Sequence, residues 1–308
     1  MLAIPQSGMS LSVSKHNSDL SIFCDWLEGS VVFDTDEVSQ SDAVDGLING
    51  KIYRSQDYAK EQYAFALKEL RRRAKYAGNA LAWRLDGSTL RRTHRWDERP
   101  AHSFCLALAL AAGYRDWARS FGKNYTSQGA LFERLVEESL HALGWDVLRT
   151  GWGGASHKKL HSVVATIASW LGEPLGSSQE WTSESANEAG TDLVCFRPFS
   201  DRRPGVPLYL LQCASGVGWE DRKQHAPDLN IWFKLLDFTT DPRKGFALPF
   251  ALDQDPFRIA ARKTNGLLLD RIRILSAPGA SAGWVSKSLA ADIVKWLKPR
   301  ISSLPTDS

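Results

Sequence analysis

Three polar groups in the second half of the chain have the types and spacing that hold a divalent metal. Asp192 stands within the apolar segment GTDLVCF, and Gln212 ends a second apolar segment, YLLQC. If the two segments are adjacent strands, a carboxylate and an amide oxygen meet at their ends, where hard cations find the oxygen ligands they prefer. A backbone carbonyl near Cys213 adds a third oxygen. Mg²⁺, or Mn²⁺ in its place, is therefore the expected cofactor.

Glu133 and Lys223 are the candidates for completing this site. The segment 129–143 has helical periodicity, and Glu133 falls at the edge of its apolar stripe, where it could lean over a sheet. A lysine beside the metal would position the attacking water, but Ala214 occupies the place two residues after Gln212. Lys223 precedes the next predicted helix, and its stem could reach the same spot. Each side chain also has a simpler interpretation. Asp192 could be a turn residue, and Gln212 could satisfy backbone groups by hydrogen bonding. Glu133 and Lys223 could be solvated surface charges.

Two other motifs point to chemistry less specifically. His157 and His161 stand four residues apart on a predicted helix and could contact phosphate or metal, but no third ligand accompanies them. The segment GASAG (279–283) fits the pattern G-x-S-x-G of a nucleophile elbow. In that site the acid and the histidine follow the serine, and no histidine follows Ser281. We therefore interpret this segment as a loop.

The elements that must position these residues form two regions. The first contains a predicted helix at 56–76, a hairpin with Asp86-Gly87 as its turn, and a helix at 101–120. The second has predicted helices at 129–143, 157–171, 227–238 and 284–298, and predicted strands at 145–151, 190–199, 207–216, 245–251 and 269–276. This order predicts an α/β fold, a mixed sheet flanked by helices, preceded by a smaller α+β domain. The polar stretch 122–130 favours a boundary between domains 1–125 and 126–308.

Composition is typical of a globular protein, and charge is unevenly distributed. The chain has 308 residues, of which 43% are hydrophobic and 24% charged, and four scattered cysteines. We expect a cytoplasmic protein with reduced thiols, without a signal peptide or a membrane partner. Residues 1–50 carry eight acids and one lysine, whereas residues 51–100 carry thirteen Lys and Arg and six acids. The basic runs 68–75 and 91–99 either contact phosphates or form solvated faces paired with the preceding acidic segment.

The runs FERLVEESLHALGW, EAGTDLVCF and YLLQCASG, in this order, resemble the PD-(D/E)XK, or restriction-endonuclease-like, nuclease superfamily over roughly residues 126–276. The resemblance implies that Glu133 is the helix glutamate, that Asp192 is the chief metal ligand on the second core strand, and that Gln212 takes the acid position on the third. The lysine of the motif is absent at Ala214. Such nucleases include members with the lysine moved to the following helix, which makes Lys223 the candidate.

The resemblance also implies a function. It predicts a Mg²⁺-dependent endonuclease that hydrolyses phosphodiester bonds in DNA, with RNA as the alternative substrate, in bacterial anti-phage defence or restriction. Asp192, Gln212, the backbone of Cys213 and Glu133 would hold metal, and Lys223 would act on the attacking water. The missing lysine keeps a second interpretation open, a catalytically inactive nuclease-fold subunit that binds nucleic acid or a partner protein in a defence complex.

Overall fold

Two separate β-sheets organise the chain in a computed structural model that describes residues 1–5, 9, 16–122, 125–150, 160–176, 190–219, 227–276 and 282–307. Eleven α-helices lie within these described ranges. Unit 1 comprises Met1–Asn124, Pro249–Asp253 and Arg271–Ser308, and unit 2 comprises Tyr125–Leu248 and Gln254–Asp270. The predicted mixed α/β class is confirmed, because one of the two sheets is a mixed sheet of five strands.

Unit 1 packs helices around a small antiparallel sheet of order β1-β3-β2. Its elements, in chain order, are α1 (His16–Phe33), β1 (Glu37–Val38), α2 (Gln40–Asn49), α3 (Gln56–Ala77), β2 (Trp83–Asp86), β3 (Thr89–Arg92), α4 (Pro100–Leu110) and α5 (Arg115–Ser120). The predicted hairpin is present, but Asp86 pairs with Thr89, so Gly87 and Ser88 form the turn. Gly87 has a φ of 64°, which favours glycine at that position.

The predicted helix 101–120 is interrupted between α4 and α5. A β-carbon added to Gly113 would lie 2.8 Å from the Cβ of Pro5, so only glycine allows this close approach of the two segments. The next residue, Tyr114, is buried, and its hydroxyl donates a hydrogen bond to the carbonyl of Ala3. The N-terminal residues therefore pack where a continuous helix would otherwise run.

Unit 2 contains the five-stranded sheet, of order β4-β5-β6-β7-β8. Its elements are α6 (Tyr125–Ala142), β4 (Asp146–Arg149), α7 (Leu160–Leu171), β5 (Leu193–Phe196), β6 (Leu208–Cys213), α8 (Leu229–Leu235), β7 (Arg243–Ala247), α9 (Gln254–Thr264) and β8 (Gly266–Leu269). The first three strands are mutually antiparallel, whereas β6, β7 and β8 are parallel. The predicted hairpin across residues 197–207 is therefore present.

The C-terminal part of the chain differs most from its predicted structure. The predicted strand 269–276 is wrong: β8 ends at Leu269, and a helix, α10 (Arg271–Ser276), follows it. Four of the six residues of α10 are buried, among them Arg271, so the short segment lacks a polar face wide enough to indicate helical periodicity. The helix α9 was not predicted, nor were α1 and α2.

The last helix, α11 (Lys287–Ile301), packs within unit 1, where the sequence analysis assigned it to the domain 126–308. The Trp296 ring lies edge-on to Phe104 of α4 with centroids 5.1 Å apart. In addition, Trp117 Nε1 donates a hydrogen bond of 3.0 Å to the carbonyl of Arg300. Among the described residues, no helix is long and apolar enough to cross a membrane.

Candidate functional site

Asp192 lies directly before β5 and is held by both neighbouring strands. Its Oδ2 accepts a hydrogen bond of 2.6 Å from the backbone N–H of Cys213, at the end of β6. Its own N–H donates to Leu211 at 2.8 Å, and its carbonyl accepts from Thr150 at 2.8 Å. The carboxylate is thus positioned by backbone groups of an ordered sheet, which restricts its orientation more than a loop would.

The environment of Asp192 favours the neutral carboxylic acid. Burial raises its pKa from 3.8 to about 6, although the Cys213 N–H lowers it again in part. Within the described ranges no lysine, arginine or histidine forms an ion pair with this carboxylate. A desolvated carboxylate without a cation is costly when ionised, so a bound metal ion would stabilise it.

Gln212 stands beside Asp192 on the next strand. The β5–β6 ladder ends at the pair Leu193–Leu211, and Asp192 and Gln212 are the next residues on the two chain segments. The Asp192 N–H donates to Leu211 and its Oδ2 accepts from Cys213, so this carboxylate lies beside the segment that carries Gln212. The Oε1 atom of Gln212 is buried and has no hydrogen-bond partner in the part of the chain that the structure describes. An unsatisfied buried carbonyl costs about 1–3 kcal/mol. A cation or a water molecule at this position would remove that cost.

Alternation along the strands separates Gln212 from the helix that carries Glu133. Gln212 shares its face with Leu208 and Leu210, which belong to the core formed by α7 and α8. The opposite face carries Arg149, which is paired in register with Leu193. The Nε atom of Arg149 lies 3.5 Å from Glu137 Oε2 of α6, so α6 covers that opposite face. The structure therefore places Gln212 and Glu133 on different faces, where the sequence analysis expected one shared site.

Glu133 instead shares its surroundings with Cys213. It is a buried residue of α6, only 8% exposed, rather than a surface glutamate. Burial raises the pKa of the Cys213 thiol well above its usual range, and the carboxylates of Asp192 and Glu133 raise it further. The Cys213 side chain stays a neutral thiol near neutral pH and is a poor metal ligand. Only its backbone carbonyl remains as the predicted oxygen ligand.

The described residues provide few protein ligands for a metal. They contain no group of three or more His, Cys, Asp and Glu side chains that could hold an ion. Mg²⁺ needs fewer than three protein ligands, because it usually keeps several waters and binds through one or two carboxylates and substrate phosphates. Asp192 and the unsatisfied Gln212 oxygen fit that pattern. Lys223, His157 and Ser281 lie outside the described residues, as does the side chain of His161.

A cluster of buried charges in unit 1 was missed by the sequence analysis, which found no catalytic set there. We call it the buried ion cluster; it consists of Asp25, Glu28, Glu69, Arg73, His102 and Arg271. Arg73 Nη1 lies 2.7 Å from both Asp25 Oδ1 and Glu28 Oε1, and its Nε lies 3.0 Å from Glu69 Oε1. Arg271 Nη2 lies 2.5 Å from the same Asp25 oxygen.

The carboxylates of the buried ion cluster are all paired with arginines, and Glu69 is held by Arg72 as well as by Arg73. Burial raises the pKa of Glu28, but Arg271 and Arg73 more than offset this and hold that pKa well below its usual range. Burial lowers the pKa of His102, which is therefore neutral near pH 7. Its Nδ1 accepts from the N–H of Ala82 at 3.3 Å, so Nε2 carries the proton and donates to Glu28 at 3.1 Å. The enclosed, internally paired groups indicate a structural role.

One signal of this cluster was present in the sequence. The acidic segment before residue 50 and the basic run after it suggested pairing, and Arg73 does pair with Asp25 and Glu28 of that segment. Arg73 is completely buried, so it is not available to a phosphate. Arg271 is separated from Asp25 by 246 residues, and no local pattern reveals that contact.

Comparison with known proteins adds no family or relative to this description. No family model, no curated protein and no solved structure matches the chain. A functional assignment therefore depends on the chemistry of the side chains in unit 2.

Proposed function

We propose that the chain is a metal-dependent endonuclease that hydrolyses phosphodiester bonds in DNA at a site built around Asp192. One observation carries this proposal. Asp192 is a desolvated carboxylate whose pKa is raised to about 6, and it has no cationic partner in the described ranges. It is hydrogen-bonded to Leu211 and Cys213, the two residues that flank Gln212, whose buried oxygen has no partner in those ranges. A divalent cation with oxygen ligands would satisfy both groups at once.

The arrangement of unit 2 supports the same proposal. A helix with Glu133 comes first, Asp192 precedes the second strand of the mixed sheet, and Gln212 lies on the third strand. The PD-(D/E)XK resemblance implies this distribution of residues. A role in bacterial anti-phage defence or restriction, which the resemblance also implies, belongs to the proposal.

The residues of the chain would divide the work as follows. Asp192 keeps its Oδ2 on the Cys213 N–H, which leaves Oδ1 for Mg²⁺ or Mn²⁺, and Gln212 Oε1 is the second ligand. When bound, the metal supplies positive charge that offsets the negative charge developing on the scissile phosphate. Glu133 acts, like Asp192, on the Cys213 thiol, and no direct role at the metal is assigned to it. Lys223 remains the candidate for orienting the attacking water.

Cleavage of supercoiled plasmid DNA tests the proposal. We expect the purified chain to nick or linearise plasmid with Mg²⁺ or Mn²⁺ and to leave it intact in EDTA. Metal binding is followed separately, as an increase of the melting temperature on adding Mg²⁺ in the absence of DNA. No cleavage with either metal, together with no shift in melting temperature, would contradict the proposed site.

Gln212→Glu is expected to keep or raise metal-dependent activity. It replaces a neutral oxygen ligand by a charged one, and charged ligands bind hard cations more tightly. Gln254→Glu, which makes the same change at an exposed position of unit 2, is the matched control and should leave activity unchanged. The measurement is the initial cleavage rate as a function of Mg²⁺ concentration, with the apparent metal affinity expected to increase only for Gln212→Glu. Complete loss of activity in a folded Gln212→Glu variant would show that Gln212 is not a ligand.

A second candidate function is an inactive nuclease-fold subunit that binds nucleic acid or a partner protein. The observation that favours it is Ala214, which stands where the motif requires lysine. This candidate predicts DNA binding that is unchanged by Mg²⁺ and is not followed by cleavage.

A further inference from the structure

The C-terminal half of α3 presents a row of cations and aromatic rings to solvent. We call it the α3 strip; it consists of Phe65, Lys68, Arg71, Lys75 and Tyr76, all exposed. At about 100° per residue these side chains fall within one side of the helix. The opposite side packs into unit 1 through buried residues such as Tyr63, Leu70 and Arg73.

The three cations of the α3 strip have no acidic partner among the described residues. Other basic residues of unit 1 do have one: Arg91 pairs with Glu37 and Asp86. Arg72, next to the strip, is held by Glu69 at 2.7 Å and by the carbonyl of Leu252. The α3 strip therefore carries three positive charges that the fold itself does not neutralise.

Stabilisation of the helix does not account for these charges. Cations in the last turn of a helix interact favourably with its dipole, but this effect fades beyond that turn. Only Lys75 stands in the last turn of α3. Lys68 and Arg71 lie further back, where they contribute little to the dipole and pair with no acidic side chain that the structure describes.

The spacing of the cations matches a nucleic-acid backbone. With a rise of 1.5 Å per residue, Lys68 and Lys75 are about 10 Å apart along the helix. One strand of DNA carries a phosphate every 3.4 Å of axis, so about three phosphates fall within that distance.

The aromatic rings of Phe65 and Tyr76 also suit a nucleic-acid ligand. Phe65 is 50% exposed and Tyr76 is 54% exposed, and the Lys75 Nζ lies 5.3 Å from the centre of the Tyr76 ring. Rings beside a cationic row are a surface on which unpaired bases stack. Neither ring is needed to complete the core, because each leaves about half of its surface in water.

We propose that the α3 strip is a sequence-independent binding surface for the DNA phosphate backbone, in a unit separate from the catalytic site. The inference takes DNA as the ligand from the proposed function. It assigns substrate binding to unit 1, with Lys68, Arg71 and Lys75 each contacting a phosphate.

The test is DNA binding measured in EDTA, where no metal-dependent cleavage occurs. Fluorescence anisotropy of a short labelled DNA duplex and of a single strand of the same length gives Kd at several salt concentrations for the full chain. The variant Lys68→Ala/Arg71→Ala/Lys75→Ala is compared with Lys287→Ala/Lys295→Ala/Lys298→Ala, which removes the same charge from exposed positions of α11. Circular dichroism and melting temperature establish that both variants are folded.

The proposal predicts that the α3 variant loses DNA affinity and that the α11 control does not. The α3 variant should bind at least ~10-fold more weakly, and its slope of log K against log salt should fall by about 2 to 3 units, close to 0.9 for each lost phosphate contact. The α11 control should keep the wild-type slope. Equal losses in both variants, or no loss in the α3 variant, would overturn the proposal.

The same experiment separates this inference from the proposed nuclease activity. If wild type binds DNA through the α3 strip but does not cleave with metal, the binding surface stands and the nuclease assignment fails. If wild type cleaves and the α3 variant binds normally, the activity stands and the α3 strip is not the binding surface. An acidic partner protein as the true ligand would appear as wild-type DNA binding that is indifferent to the α3 substitutions.

Discussion

Asp192→Asn should lower metal-dependent DNA cleavage by about 100-fold or more and should also stabilise the folded chain near neutral pH. Asparagine is isosteric and can still accept the hydrogen bond from the Cys213 N–H. It cannot supply the negative charge that a hard cation needs. Loss of activity would thus accompany a gain of stability, as is common where a functional group is held in an unfavourable environment.

The gain in stability follows from the raised pKa of Asp192. Folding raises that pKa from 3.8 to about 6, so between these pH values the folded state holds a proton that the unfolded state has lost. The free energy of unfolding therefore falls as pH rises through this range, by roughly 3 kcal/mol, and stays lowered above it. The asparagine variant does not titrate, so it should lack this contribution to the pH dependence.

Urea unfolding in EDTA at several pH values measures this difference. Mg²⁺ should stabilise wild type near neutral pH but not Asp192→Asn. Asp146→Asn, at an exposed position of β4, is the matched control and should change neither activity nor pH dependence. An Asp192→Asn variant that cleaves at the wild-type rate would place the metal site elsewhere in the chain.

Arg271→Met should lower the free energy of unfolding by about 3–5 kcal/mol. Arg271 is fully buried, and its guanidinium contacts Asp25 and Glu28 in the buried ion cluster. Removing it leaves Arg73 as the remaining cation against both carboxylates, and an uncompensated buried charge is expensive. The loss should therefore far exceed that of an exposed ion pair, which is worth about 0–1 kcal/mol.

Chemical denaturation of Arg271→Met and of Arg273→Met gives the comparison. Arg273 lies on the same helix, α10, with an exposed side chain, so its replacement should cost at most about 0.5 kcal/mol. Adding Asp25→Asn to Arg271→Met should restore part of the lost stability, because it removes one of the carboxylates that Arg73 alone would then have to neutralise. Equal costs for the two single variants would contradict the importance of the buried ion cluster.

Local patterns in the sequence were enough for several elements. The apolar spacing of residues 56–76 predicts α3, and the segment 129–143 predicts α6 with Glu133 at the edge of its stripe. The hairpin between β5 and β6 was also predictable, because a charged Pro/Gly-containing turn separates two apolar runs. These features depend on residues close together in the chain, and their periodicity is visible without the rest of the fold.

The sequence alone predicts that Asp192 and Gln212 stand near the ends of neighbouring strands, and both residues do follow directly on the last pair of the β5–β6 ladder. The face of the sheet that each side chain takes depends on the three-dimensional fold, in which Gln212 and Glu133 lie on different faces. Only the tertiary structure brought Arg271 to Asp25 and turned the segment after Leu269 into a buried helix. The physical reason is that burial on several sides removes periodicity, and a contact between residues far apart in the chain leaves no local pattern.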